Sequence, residues 1–432
     1  MIRSSKFVLS FSALFGLVYT GSAQSTEEAL RRKARKIHEN ALTLDTHGDV
    51  PTYMVSHANF DISKEHNAHK TGSRIDFPRM KKGGLDAMFF AVYLGQGPRT
   101  TAGNAGAKEK AIKLFAHIHK SVKDNPQLAE LAKTPDDAYR IVKSGKRAIF
   151  IGIENGWAIG KDLLLLKTYY DLGARYMTLS HSSNNDIADS STDPKGAEHN
   201  GISPFGEKVV AEMNQLGMMV DVSHVSDSTF YDAIRLSKAP VIASHSSARA
   251  LSNHPRNMTD DMIKLLAKKG GVVQMNMLSG YLIKPKANPA REEALKVLRE
   301  KYGKGTSLSE EEQKQRSAEL ARINRKYPQE LASLKQVVDH IDHIVKLVGV
   351  DYVGIGADLD GGGGVKGMYD VSEAGNITLE LVKRGYSAQD IEKIWSGNLF
   401  RVMNEVEKVA AQLNKPAPGS KASTDGNSSK PD

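Results

Sequence analysis

The sequence predicts an α/β fold of the (β/α)8 TIM-barrel type, on three observations. Short β-branched-rich apolar runs recur eight times, amphipathic helical patterns separate them, and histidines and acids gather where the runs end. The same alternation also fits an open doubly wound sheet, which stays as the alternative.

The runs lie at 41–47, 84–94, 147–154, 174–181, 218–224, 239–245, 271–277 and 351–358. Between them, 108–122, 161–173, 205–217, 227–238 and 259–270 read as helices, with Gly173, Gly217 and Gly270 placed to end three of them. Residues 286–335, after the seventh run, form a highly charged helical insertion, a solvated face positioned to shape the rim or a homodimer contact.

The first run ends in "LDTHGDVP". Residues i and i+2 of a strand share a face, so His47 and Asp49 can converge on one point. That pairing suits a divalent cation, and equally a buried hydrogen bond. A side chain at Gly48, between the two, would crowd bound metal or substrate. Of fourteen histidines, His47, His181, His224 and His245 stand at the C-terminal ends of runs, while Glu154 closes the third run and Asp358 the eighth. In a barrel all these ends lie on one rim, where such folds place their chemistry.

His47, Asp49, Glu154, His224 and His245 supply three imidazoles and two carboxylates, a donor set for zinc, with manganese or cobalt as substitutes. Five ligands are too many for one tetrahedral ion with an open position, but they suit two ions with one carboxylate bridging. Such a pair can hold a hydroxide and polarise an amide or ester carbonyl. Asp358 can then carry the proton, or act as a third metal carboxylate or a loop cap. His181 reads as a further ligand, an oxyanion donor or a structural residue. His340 and His343 in "DHIDHI" lie before the eighth run, at the far end of their helix from the rim, and read as packing. No Gly-x-Ser-x-Gly elbow supports a serine hydrolase.

Nine ordered segments, "LDTHGDVP", "GIEN", "TLSH", "VDVSHVSD", "ASHSSARAL", "PRNMTDDM", "VDHIDHI", "GIGADLDG" and "SGNLFRV", resemble the motifs of the membrane (renal) dipeptidase family within the amidohydrolase superfamily, over about residues 35–410. The resemblance implies a dipeptidase on a (β/α)8 barrel with two zinc ions per chain. Position by position, it implies His47 and Asp49 as ligands of one zinc, His224 and His245 of the other, and Glu154 as the bridge. It further implies that His181 stabilises the tetrahedral oxyanion, that Arg256 holds the substrate's C-terminal carboxylate, and that Asp358 is the acid/base group that also meets the free amino group. L-Xaa-L-Xaa and L-Xaa-D-Xaa dipeptides are the implied substrates. A deacetylase or lactonase on the same barrel, or a silent peptide- or metal-binding barrel, are the rivals.

Composition bounds the setting. "MIRSSKFVLSFSALFGLVYTGSAQ" has two cations, an apolar run and small residues, the pattern of a signal peptide cleaved after Ala23. The run is shorter than the ~20 residues a spanning helix needs, so no membrane anchor is expected in the mature chain. A periplasmic or secreted protein is expected. No cysteine occurs, which excludes the disulfides and lipid-modified cysteine of other exported proteins. Loss of the signal lowers the formal charge from +9 to +7, and no Lys/Arg tract suggests nucleic acid. Residues 416–432, rich in Pro, Gly, Ser and charge, read as a disordered tail.

Overall fold

The computed structural model describes residues 27–303 and 310–415. The proposed signal peptide and tail lie outside the described residues. Nine parallel strands form one sheet: β1 (Leu44–Gly48), β2 (Ala87–Tyr93), β3 (Ala129–Leu131), β4 (Arg147–Glu154), β5 (Ala174–Thr178), β6 (Met219–Asp221), β7 (Ile242–Ser246), β8 (Val272–Met275) and β9 (Val353–Ile355). Eight follow the order β1-β2-β4-β5-β6-β7-β8-β9, and β3 pairs with β4 outside that path. A parallel bridge between Gly48 and Leu359 brings the last strand back to the first. Across that seam Asp49 N–H donates to the Leu359 carbonyl at 2.9 Å, and Ala357 N–H to Asp45 Oδ1 at 2.9 Å. This is the predicted (β/α)8 barrel, with β3 as an addition.

The strands are apolar on both faces because both are covered. Leu44, Ala87, Phe89, Phe150, Tyr176, Ile242 and Val272 form the interior cluster, which Leu399, Phe400 and Met403 of the helix Asn398–Leu413 also join. The alternate residues, among them Met88, Phe90, Val92, Ile149, Ile151 and Ile153, belong to the outer core beneath the helices. Each such side chain contributes about 1.5–3 kcal/mol by leaving water.

Helices open on hydroxyl caps that satisfy their free N–H groups. Ser203, Ser226 and Thr259 cap Pro204–Leu216, Asp227–Leu236 and Asp260–Lys268. Gly217 takes the left-handed conformation at the end of the first of these, and Gly173 and Gly270 take it one residue beyond the C-caps of theirs. The helix expected at 108–122 runs from Thr101 to Lys123. Gly103 and Gly106 masked its first turn, and a Cβ at Gly103 would lie 1.9 Å from the Pro98 carbonyl oxygen. Within the charged insertion, Pro289–Tyr302 packs on Glu310–Lys326 through Leu298, Tyr302 and Ile323. Among the described residues no helix is long and apolar enough to cross a membrane.

His340 is buried on the helix Leu334–Val348, where its Nδ1 accepts from Ala248 N–H at 3.1 Å and its Nε2 faces the Leu282 carbonyl at 3.1 Å. His343 pairs instead with Asp260 at 2.7 Å. Both therefore serve packing between elements.

Candidate metal centre

Two strands reach the site through an extra residue. In β1, Asp45 pairs with Met88 and Gly48 with Phe90, so three steps on one strand face two on the other. In β7, Ala243 pairs with Val273 and Ser246 with Met275, the same mismatch. Such a bulge breaks the in/out alternation and turns two successive residues to one side. Thr46 and His47, and likewise Ser244 and His245, thus both face the barrel mouth, where Thr46 Oγ1 donates to the Ser244 carbonyl at 2.6 Å. The His47 and His245 rings lie 4.0 Å apart.

The packing around Gly48 corrects its reading. A Cβ there would meet Ile75 Cδ1 and Met88 Sδ at 2.8 Å, on the outer core, so the crowding is with packing side chains and not with metal or substrate. Gly48→Ala is expected to cost about 1–3 kcal/mol in unfolding free energy by overpacking while leaving metal content unchanged. Denaturant titration beside metal analysis checks both halves. The glycine that does border the site is Gly361, where a Cβ would lie 2.1 Å from Asp358 Oδ1 and 2.2 Å from Asp49 Oδ2.

Several strands end earlier than their apolar runs. Glu154 is the last residue of β4, but His181, His224 and Asp358 stand three residues beyond β5, β6 and β9, on loops. His224 has φ 69° and Asp358 φ 59°, left-handed values rare outside glycine. Asn155 (φ 85°) and Asp360 (φ 67°) share that conformation and directly follow or neighbour the site. Each such residue costs of order 1–3 kcal/mol, which the surrounding burial offsets.

The structure brings the five proposed ligands together around the Glu154 carboxylate. Its Oε1 lies 3.0 Å from His224 Nε2, 3.4 Å from His245 Nε2 and 3.5 Å from His181 Nε2, while Oε2 lies 3.3 Å from His47 Nε2. Asp49 Oδ2 is 3.5 Å from His47 Nε2, and the Nε2 atoms of His224 and His245 are 2.8 Å apart. His47 Nε2 and Asp49 Oδ1 are buried with no hydrogen-bond partner. Three sets, His47/Glu154/His245, Glu154/His181/His224 and His47/Asp49/Asp358, each bring their donor atoms within 4.8 Å of one another, close enough to hold a metal ion. Converging lone pairs and orphaned buried donors of imidazole and carboxylate type fit a divalent cation of the borderline N/O class.

Charge shapes the same site. Burial opposes ionisation of Glu154, but the surrounding imidazoles outweigh it and hold the carboxyl well below its usual range. Burial also opposes a charge on His47, yet Tyr176, Glu154 and Asp49 hold its pKa well above the usual value. Burial, with Arg256 beside them, keeps His224 and His245 well below it, and so mostly neutral. Burial, together with Asp49 and Glu154, raises Asp358 to about 8.

Outside the ligands stands a set of partners that the sequence reading missed. Asp221, fully buried, accepts from Ser223 and Ser244 N–H groups and from the hydroxyls of Thr178 and Ser244. Ser244 Oγ, having donated to Asp221, is left to accept from His245 Nδ1 at 2.8 Å, which leaves Nε2 as the metal-facing atom. Asn276 donates to Asp358 Oδ2 at 3.1 Å. A carboxylate inside the otherwise apolar "MMVDVSH" was the signal for Asp221.

Above the carboxylates opens a cleft of about 360 Å³, lined by Tyr53, Tyr93, His181, Arg256, Tyr281 and Asp358 among others. Arg256 is buried, donates to the His245 carbonyl at 3.1 Å and lies over the Tyr281 ring, while its Nε has no partner. His181 packs edge-on against Tyr93, ring centres 4.9 Å apart, and its Nδ1 meets Ser182 Oγ at 2.7 Å.

A parallel barrel that gathers imidazoles and carboxylates at its C-terminal mouth, beneath a cleft with a buried arginine, has the framework of a metal-dependent hydrolase. Comparison with known proteins narrows the class. A family model for membrane dipeptidase (peptidase family M19) matches residues 31–417. Dipeptidase tcpJ of Claviceps purpurea is 31% identical over 373 residues, 85% of this chain and 77% of that protein. Dipeptidase aclJ of Aspergillus oryzae is 32% identical over 345 residues, 79% of this chain and 72% of that one. The crystal structure of the probable dipeptidase PvdM from Pseudomonas aeruginosa superposes with a TM-score of 0.76 at 31% identity, covering 88% of this chain and 99% of that chain. The chain belongs to the membrane dipeptidase family, peptidase family M19, and is accordingly a metallo-dipeptidase.

Proposed function

We propose that the enzyme uses two zinc ions bridged by Glu154 to hydrolyse the peptide bond of L-Xaa-L-Xaa and L-Xaa-D-Xaa dipeptides. One observation carries the reading: the two oxygens of a single buried carboxylate face different ligand groups, Oε1 toward His224 and His245 and Oε2 toward His47. His47 and Asp49 would hold one ion, His224 and His245 the other. Bound there, the ions supply Lewis acidity to the scissile carbonyl and an ionised water near neutral pH.

The chain's own groups do the rest. Arg256 offers N–H donors not spent on protein partners, which suits bidentate capture of the C-terminal carboxylate. Asp358, held through Oδ2 by Asn276, takes the proton of the attacking water, returns it to the leaving amine and faces the substrate ammonium. His181, with Nδ1 engaged by Ser182, directs its other nitrogen to the developing oxyanion. An arginine at one end and a carboxylate at the other measure the length of a dipeptide. The apolar run of residues 1–23 supports export to the periplasm or medium.

Arg256→Ala tests this reading against a deacetylase or lactonase. It is expected to lower kcat/KM for dipeptides by about 30- to 1,000-fold, the ~2–4 kcal/mol of a buried charge-assisted pair, mostly through KM. Dipeptide amides should be poor substrates for the parent enzyme, and no poorer for the variant. An unchanged KM would remove the dipeptide assignment.

A further inference from the structure

His47 lies in the barrel mouth with two ring nitrogens, only one of which can face a cation. What decides which one is a residue with no part in the chemistry above. We propose that Tyr176 is a positioning residue for the metal centre, whose phenol fixes His47 in the tautomer that leaves Nε2 for the metal. The inference rests on the two-zinc reading.

Three observations carry it. Tyr176 OH lies 2.8 Å from His47 Nδ1 and donates to the Thr46 carbonyl at 3.1 Å. A carbonyl can only accept, so a phenolic hydrogen given to Thr46 leaves the oxygen's lone pair for His47 Nδ1. With the phenolic hydrogen on the carbonyl the partner is an Nδ1–H, and in the neutral ring Nε2 is then a lone pair directed at the Glu154 and Asp49 oxygens, 3.3 and 3.5 Å away. The rings of His47 and Tyr176 lie 6.5 Å apart and tilted by 30°, too distant for close stacking.

The phenol is also held in place. Tyr176 has no exposed surface and packs against Phe89 with ring centres 5.3 Å apart. It pairs in register with Gly152 of β4, where a Cβ would lie 2.0 Å from the tyrosine Cζ. Glycine two residues before Glu154 therefore opens the notch through which a tyrosine of the next strand reaches a ligand of the first. On the other side, Ser244 performs the same service for His245, so both mouth-facing bulges end in a histidine with its Nδ1 engaged.

The test is zinc binding, measured by competition with a chromophoric chelator, on the parent protein, Tyr176→Phe and the packing control Phe89→Leu. Tyr176→Phe is expected to bind two zinc ions with one weakened by about 10- to 100-fold and the other unchanged. Phe89→Leu should lower the melting temperature of the metal-free protein and leave both affinities as they were. Gly152→Ala, which pushes the ring aside and keeps the hydroxyl, should reproduce the one-site weakening. Equal affinities in Tyr176→Phe and the parent overturn the inference alone. A parent protein that binds fewer than two zinc ions overturns the two-zinc reading and this inference with it. Equal weakening at both sites, or loss of the metal-free fold in both Tyr176→Phe and Gly152→Ala, makes the tyrosine a structural requirement and likewise overturns it.

Discussion

Glu154→Gln is expected to abolish dipeptide hydrolysis, by more than about 10³-fold, and to strip the barrel mouth of metal. The substitution keeps the shape and removes the charge. An amide offers one oxygen and turns an NH₂ toward whatever faces the other, so it cannot bridge two cations. The histidines would then surround a neutral group: His224, His245 and His181 lie 3.0–3.5 Å from Oε1, and His47 3.3 Å from Oε2. A loss of 10³ corresponds to about 4 kcal/mol of transition-state stabilisation, in keeping with a group that organises the whole centre. Metal analysis after gel filtration in zinc-containing buffer checks the cause. Two equivalents retained, with activity, would show that Glu154 does not bridge.

Asp358→Asn should behave oppositely, losing turnover by about 10²- to 10⁴-fold while keeping the metal content of the parent. Asparagine preserves the volume beside Gly361 and can still meet Asn276, but it cannot take a proton from water. The contrast is informative because Asp358 also lies within metal-binding reach of His47 and Asp49. Metal lost together with activity would recast it as a ligand. Assays of kcat with matched zinc determinations separate the two outcomes.

The barrel was legible because parallel strands covered on both faces are largely apolar, as Ala87–Tyr93 and Arg147–Glu154 show most plainly. The extra strand Ala129–Leu131 was not, since three residues carry no period. His47, Glu154 and His245 could be placed because they occupy strand ends. The partners that hold them, Asp221, Ser244 and Tyr176, could not, because reach across a barrel leaves no trace in local spacing. Tyr176 looks like one more aromatic in an apolar strand, and Gly152 like a weak point in another. Only their register, one opposite the other, shows the hydrogen bond they make room for. The bulges were equally hidden, since "LDTHGD" and "ASHSS" read as ordinary alternation, and Gly48 was misread for lack of any sign in the sequence of the Ile75 and Met88 side chains that crowd it.

Those bulges also set what kinds of change the site can survive. Most mutations in a binding site alter a side chain and leave its direction intact. Here the inward setting of Thr46 together with His47, and of Ser244 together with His245, depends on chain length, on three steps spanning the room of two. Deleting a single residue between Asp45 and Gly48, or between Ala243 and Ser246, would restore a regular strand with room for one inward-facing residue where two stand now, so either the imidazole or its neighbour Thr46 or Ser244 would be lost. Substitution can tune this centre, but a one-residue deletion in either strand costs it an imidazole or the neighbour that shares its bulge.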